Sequence, residues 1–177
     1  MIHLDIKKLG KIKGVGHRIH GDRSRRSRGA GWEFLHVCVD DHSRLAYCEV
    51  LPDDKALTAA HFLMRAAEWL KRHGVKVRRV MTDNGGCYVS YRFQAAVQSL
   101  GARHVRTRPY TPRTNGKAER FIQTSLKEWA YSQAYESSEE RQQHLSTWLS
   151  FYNHQRPHSA LKAKPPITRL KNREQRP

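Results

Sequence analysis

The sequence predicts an α/β domain built on a mixed five-stranded sheet flanked by helices. Three observations predict it: strand-like alternation at the N-terminus, a hairpin pattern after it, and then a regular exchange of strand-like and helix-like segments. At 177 residues the chain has the usual size of one domain and is long enough to bury a hydrophobic core.

Ile2, Leu4 and Ile6 alternate with His3, Asp5 and Lys7, which predicts a half-buried strand over Ile2 to Leu9 with Asp5 on its more polar side. Gly10 to Gly31 shows no period. It carries Lys11, Lys13, Arg18, Arg23, Arg25, Arg26 and Arg28 against one acid, Asp22, and reads as a long basic loop, either solvated or tracking a DNA backbone. Phe34 to Val39 and Leu45 to Leu51 are rich in β-formers and flank Asp40-Asp41-His42-Ser43, which makes a hairpin whose turn accounts for both aspartates better than metal ligation does. Asp53 or Asp54 is expected to cap a helix whose apolar positions Leu57, Ala60, Leu63, Met64, Ala67 and Leu70 keep helical spacing, with Gly74 as its stop.

A strand over Val75 to Met81 then runs into Asp83. A short helix from about Tyr91 to Leu100 stops at Gly101, and Ala102 to Thr107 is a fifth strand. Arg108 to Gly116 contains Pro109 and Pro112 and reads as a constrained loop. A helix beginning at Asn115 or Gly116 carries Glu119, Ile122, Leu126 and Trp129, and another covers Ser138 to Asn153. The expected organisation is a core over 1–155, interrupted by the basic loop 10–31, and a basic C-terminal tail over 156–177 that packs or trails.

Composition narrows the partner. Thirty-three Lys and Arg against 16 Asp and Glu leave a formal net charge of +17, with a sequence pI near 10.3. A compact state would repel itself at that charge unless a polyanion were the working partner, so nucleic acid leads. A membrane partner is not expected: no basic amphipathic helix stands out, and the apolar runs are too short to span a bilayer. Met1 is not followed by a charged-then-apolar leader, so an intracellular protein is expected. Cys38, Cys48 and Cys87 lack paired spacing and are expected to be reduced, small and buried. His17 and His20 have a ligand-like spacing, but two ligands do not make a zinc site.

The chemistry concentrates on carboxylates. Asp83 follows a buried-looking strand, at the carboxyl end where α/β sheets place their sites, although Asp83-Asn84-Gly85-Gly86 is also an ordinary turn. Glu119 lies in the first turn of its helix, where an acid complements the helix dipole. At about 100° per residue, Ile122, Leu126 and Trp129 form a core stripe with Glu119 at its edge. Arg120, Gln123 and Lys127 flank Glu119 away from that stripe, a setting suited to a metal beside a phosphate.

These residues together resemble the retroviral-integrase-like transposases of bacterial insertion sequences. The match runs from His3-Leu4-Asp5, through Thr82-Asp83-Asn84-Gly85, to Pro109-Tyr110-Thr111-Pro112, Gly116 and Glu119. Asp83 and Glu119 are separated by 35 intervening residues, as that family's acidic triad requires. Tyr152-Asn153 and Arg156-Pro157-His158-Ser159-Ala160-Leu161 look like the segment that closes many of these enzymes.

The resemblance implies a ribonuclease H-like fold, with the first and fourth strands adjacent and Asp5 beside Asp83. It implies Asp5, Asp83 and Glu119 as the catalytic triad holding two Mg²⁺ or Mn²⁺ ions, which hard oxygen donors suit better than Zn²⁺. The implied activity is metal-dependent cleavage and strand transfer of DNA, on element ends and a target duplex, by a homodimer or higher oligomer in the bacterial cytoplasm. Arg23, Arg25, Arg26, Arg28, Arg106, Arg108, Arg113, Lys117, Arg120 and Lys127 are candidate phosphate contacts, and Tyr110 is a candidate for packing or stacking on DNA. Such transposases normally carry helix-turn-helix segments ahead of the core, and none precedes Asp5 in this sequence. The rival readings are a ribonuclease H-like nuclease acting on an RNA–DNA hybrid and a non-catalytic DNA-binding remnant.

Overall fold

The computed structural model describes residues 1–13, 31–107 and 115–171. Its centre is strand β1 (Ile2–Gly10), which pairs antiparallel with β2 (Trp32–Asp40) from Ile2↔Asp40 to Gly10↔Trp32. A hairpin turn leads to β3 (Ala46–Leu51), antiparallel to β2 from Phe34↔Leu51 to Val39↔Ala46. On the other side β1 pairs in parallel with β4 (Arg79–Thr82), which pairs in parallel with β5 (Arg103–Arg106). The order is β3-β2-β1-β4-β5, the mixed five-stranded sheet expected.

Helices cover both faces. On one, Ile2, Leu4 and Cys38 meet Phe62, Leu63 and Leu70 of α1 (Ala56–Arg72), beside Tyr88 of α2 (Gly86–Val89) and Phe93 and Val97 of α3 (Tyr91–Ser99). On the other, Leu9, Leu35, Val37 and Val39 meet Phe121 and Ile122 of α4 (Gly116–Ser125) and Leu145, Trp148 and Tyr152 of α5 (Ser138–His154). The alternation read in β1 holds, but the strand is central rather than half-buried. His3, on the more polar side, is as buried as Ile2 and Leu4 because α4 covers that side too.

Other boundaries differ for local reasons. Lys55 is the N-cap of α1. Asp53 instead accepts the Lys55 N–H at 3.0 Å, so it closes the turn before the helix rather than capping it. Val75 to Arg78 lies outside the ladder, leaving a four-residue β4, although Val75 and Val77 are buried. Gly74 stops α1 in the left-handed region at φ 73°. After α4 the chain widens into a π-turn, Leu126–Ala130, which keeps Trp129 buried with its indole N–H donating to the Arg141 carbonyl at 2.7 Å. Arg141 itself is fully buried, ion-paired with Glu33 and donating to the Gly10 carbonyl at 2.8 Å, which ties α5 to the far end of β1. Cys38 and Cys48 are buried, whereas Cys87 is only partly so.

The described part of the segment after Arg156 packs. It forms a 3-10 turn (Ser159–Leu161) and α6 (Thr168–Lys171), with Leu161 buried and Ile167 and Leu170 against the α1 core. Asn153 explains part of the closing motif: its side-chain amide accepts the Ala46 N–H and donates to the Ala46 carbonyl, both at 2.8 Å, like an added residue of the sheet. No helix among the described residues is long and apolar enough to cross a membrane.

Candidate active site

Asp5 projects from the middle of β1 on the side covered by α4, because the strand alternates and Ile2 and Leu4 take the other side. Asp83 is the first residue after β4. The parallel pairs Ile2↔Val80 and His3↔Met81, continued by two residues, set Asp5 level with Asp83. Glu119 is exposed in the first turn of α4. Burial, with the charges of Asp83 and Glu119 adding to it, raises the Asp5 carboxyl from 3.8 to about 6, against the Ile6 N–H that favours its charged form. All three expected carboxylates therefore share one electrostatic field.

Two of them are held from one side. Asp5 Oδ1 accepts the Ile6 N–H at 2.7 Å, and Asp83 Oδ1 accepts the Gly85 N–H at 2.8 Å. Each thus keeps an oxygen that is free of a backbone donor in these bonds. The Asp-Asn-Gly-Gly segment is both a turn and the mount of a carboxylate, so its two sequence readings do not compete. Asn84 fastens the mount laterally, donating to the Thr107 carbonyl at 2.9 Å. Gly85 is needed for closeness: a Cβ there would stand 3.0 Å from Asp83 Oδ1.

A buried polar relay ties α4 to β1. Asn115, the N-cap of α4, donates from Nδ2 to the Leu4 carbonyl at 2.9 Å, and its Oδ1 lies 3.2 Å from His3 Nδ1. His3 Nε2 lies 2.9 Å from Asp41 Oδ1, which also accepts from Lys117 Nζ. Burial alone would raise the Asp41 carboxyl, but hydrogen bonds from Lys117 and His3 hold it at about 2. Sequence reasoning placed Asp41 in a turn and Asn115 at a helix start. Both assignments stand, yet neither revealed the relay, since its partners are 38 and 112 residues apart. Asp40 does serve the turn, accepting from the Ser43 N–H and hydroxyl at 2.9 and 2.8 Å.

Among the candidate DNA contacts, Arg106 is exposed and paired across the ladder with Thr82, next to Asp83. Arg120 and Lys127 are exposed on α4 and its π-turn. Lys117 turns instead toward Asp41. Arg23, Arg25, Arg26, Arg28, Arg108, Tyr110 and Arg113 lie outside the described residues, as do His17 and His20. Among the described residues no three His, Cys, Asp or Glu side chains stand close enough to enclose a metal ion. Asp5, Asp83 and Glu119 influence one another by charge without forming a closed cage. As a donor set they are hard oxygen ligands, which fit Mg²⁺ or Mn²⁺.

The sheet thus carries Asp5 on its first strand, Asp83 just after its fourth and Glu119 on the helix after its fifth. Two family models, both described as Integrase core domain, match residues 10–112 and 100–166. The chain belongs to the integrase core domain family. It is 32% identical over 112 residues to the Intracisternal A-particle Pol-related polyprotein of mouse intracisternal A-particle, covering 63% of this chain and 12% of that protein. It is 32% identical over 88 residues to the transposase for insertion sequence element IS904 of Lactococcus lactis, covering 49% of this chain and 35% of that protein. The chain thus spans a minor part of these relatives. Among solved structures it resembles the simian T-cell lymphotropic virus intasome, with a TM-score of 0.75 at 23% identity over 99% of this chain and 55% of that one. It also resembles the catalytic core domain of BIV integrase, with a TM-score of 0.60 at 22% identity over 80% and 88% of the two chains. A third likeness is the HTLV-2 integrase catalytic core domain in complex with magnesium, with a TM-score of 0.65 at 16% identity over 94% and 93%. The fold is ribonuclease H-like.

Proposed function

We propose that this chain is the catalytic core of a transposase that cleaves DNA at element ends and joins them to a target duplex, with Asp5, Asp83 and Glu119 as its catalytic carboxylates. The observation that carries the proposal is the β1–β4 register, which sets Asp5 level with Asp83, with the charge of Glu119 also felt at Asp5, in a chain of net charge +17. Stability alone gives no reason to gather like charges at a partly buried point, whereas a cation-assisted site does. Membership of the integrase core domain family and the likeness to insertion-sequence transposases support the same activity.

In this reading the three side chains hold two divalent cations, Mg²⁺ or Mn²⁺, which when bound help activate the attacking oxygen and stabilise the leaving one. The protein's own part is positioning. Ile6 and Gly85 fix one oxygen of Asp5 and of Asp83, and the Asn115 relay sets where α4 presents Glu119. Arg106 and Lys127 neutralise and orient the phosphodiester. In cleavage, a water oxygen bonds to phosphorus as the bond to the 3′ oxygen breaks, and that oxygen leaves as a hydroxyl. In joining, the oxygen of that hydroxyl bonds to a target phosphorus as the target's own bond from phosphorus to its 3′ oxygen breaks, and the target 3′ oxygen leaves as a hydroxyl, taking up the proton. No protein nucleophile is required. Several copies of the chain would act together on the two DNAs.

The test is a cleavage and strand-transfer assay on labelled duplexes with Mg²⁺ or Mn²⁺, with an RNA–DNA hybrid as a parallel substrate. Joined products support the proposal. Cleavage of the hybrid alone would replace it with a ribonuclease H-like nuclease, and DNA binding without either reaction would leave a non-catalytic remnant.

A further inference from the structure

On the flank of α4 turned away from Glu119 lies a cavity of about 560 Å³ that the proposed chemistry does not use. At 100° per residue, Lys117, Arg120 and Thr124 face it, and Glu119 stands about 100–160° round the helix from them. Its walls carry Arg44 from the β2–β3 turn, Lys117 and Arg120 from α4, and Arg156 and His158 from the segment after α5, with Tyr152 at its base. Among the described residues, none that lines it is acidic. Two of the cations are partly balanced from outside: Lys117 by Asp41, and Arg156 by Glu128 through bonds of 2.7 to 3.1 Å. Arg44 and Arg120 have no such partner in the cavity wall.

Two buried nitrogens there, Arg44 Nη1 and His158 Nε2, have no hydrogen-bond partner among the described residues. Arg44 Nη1 always carries its proton, and a buried charged donor left without an acceptor is costly, so it marks a place where an acceptor is supplied from outside. His158 Nε2 donates only from a protonated ring, which burial and the charges of Arg156 and Arg44 disfavour until an anion enters. Arg44 is also held in the left-handed region at φ 66°, which a side chain as long as arginine rarely adopts. Strain of this kind persists where surrounding structure imposes it, and it concentrates at ligand clamps. His158 is fixed edge-on against Tyr152, with ring centroids 4.7 Å apart at 87°. The arrangement is a preformed set of cations around a space to which the described residues bring no acidic wall.

We propose that this cavity binds a phosphate of the DNA backbone, with Arg44 and Arg120 donating to its oxygens, His158 beside them, and Lys117 and Arg156 adding positive charge. The proposal rests on the reading of the chain as a DNA-processing core. The spacing suits a duplex: an α-helix is about 10–12 Å across with its side chains, and the major groove is about 12 Å wide. One strand can therefore present its phosphate to the carboxylates on one flank of α4 while the other strand's phosphate enters the cavity. The closing Arg-Pro-His sequence and the Ser-Arg of the hairpin turn thereby acquire a common role.

The test uses the full chain at constant ionic strength. Inorganic phosphate and then a short duplex of arbitrary sequence are titrated in, with the Arg44 and His158 side-chain resonances followed by NMR. Both ligands should shift both resonances saturably. Arg120→Gln, at an exposed position, should weaken phosphate binding by about tenfold, the scale of one charge-assisted hydrogen bond. Arg44→Gly should fold without loss, since glycine takes φ 66° freely, and should abolish saturable phosphate binding. Resonances moved by neither ligand, or binding unaltered in both variants, would overturn the site. Phosphate binding with no response to the duplex would overturn its assignment to DNA. A duplex that binds the wild-type chain tightly while leaving these resonances still would sink only this proposal, whereas a wild-type chain that binds no duplex would sink the proposed function itself.

Discussion

The side-chain amide of Asn115 reaches 2.9 Å to the carbonyl of Leu4, so the N-cap of the Glu119 helix is bonded to the residue before Asp5. Two carboxylates 114 residues apart in sequence are thus registered through one buried amide. Asn115→Ala should cost about 2–3 kcal/mol of stability, since it removes two bonds and strands buried partners. Turnover should fall by about tenfold or more, because small misplacements of catalytic groups are expensive. Asn115→Asp, which keeps the size but loses the donor to Leu4, should not rescue turnover. Chemical denaturation and single-turnover cleavage are the measurements, and wild-type turnover in Asn115→Ala would show that the relay serves stability only.

Asp5→Asn, Asp83→Asn and Glu119→Gln should each abolish cleavage and joining while leaving DNA affinity nearly intact. Each removes a ligand charge with little change in volume. Saturating Mg²⁺ or Mn²⁺ should raise the melting temperature of the wild type, by up to about 3 kcal/mol of stability at a hundredfold excess over Kd, and should do so far less in Asp83→Asn. Substantial metal-dependent activity in any of the three variants removes that residue from the site.

The Asp5 carboxyl, raised from 3.8 to about 6, sets a pH dependence opposite to that of most acids. Between those values the folded state binds more protons at Asp5 than the unfolded state, so this contribution to stability declines as pH rises from about 4 to about 6. Above 6 the charged carboxylate is a standing cost in the metal-free protein. Asp5→Asn should therefore be more stable than the wild type at neutral pH, with the difference shrinking as pH falls from about 6 to about 4. Urea midpoints across this range test it, and a destabilised Asp5→Asn at pH 7 would contradict the assignment.

Gly85→Ala should impair the reaction more than the fold. Its Cβ would stand 3.0 Å from Asp83 Oδ1, so the carboxylate must give way by a few tenths of an ångström. Activity should drop by about an order of magnitude or more, with a small change in melting temperature. Full activity would mean that the Asp83 mount tolerates displacement.

Neutralising Arg23, Arg25, Arg26 and Arg28 together should weaken binding to all duplexes alike and flatten the dependence of affinity on salt, by a slope of up to about 0.9 for each phosphate that the chain no longer neutralises. An unchanged slope assigns those four cations to solvent.

The sequence alone determined the elements whose signals are local. Alternation in β1 put Asp5 opposite Ile2 and Leu4, Asp83 fell at a strand end, and the apolar stripe of α4 left Glu119 on its rim. Those patterns carried the sheet, while the three carboxylates were singled out together only by the resemblance to integrase-like transposases. Tertiary structure decided what depends on meeting distant chain. β1 became central and buried its polar side because α4 lies over it. Asp41 became the acceptor for His3 and Lys117, besides being a turn residue. Arg44, Arg156 and His158, unremarkable one by one, came to line a single cavity. A period or a cap is written in neighbouring residues, since it is set by backbone geometry over one or two turns. A hydrogen bond between residues a hundred positions apart leaves no trace in either neighbourhood, and only the packed sheet and its covering helices bring the partners within reach.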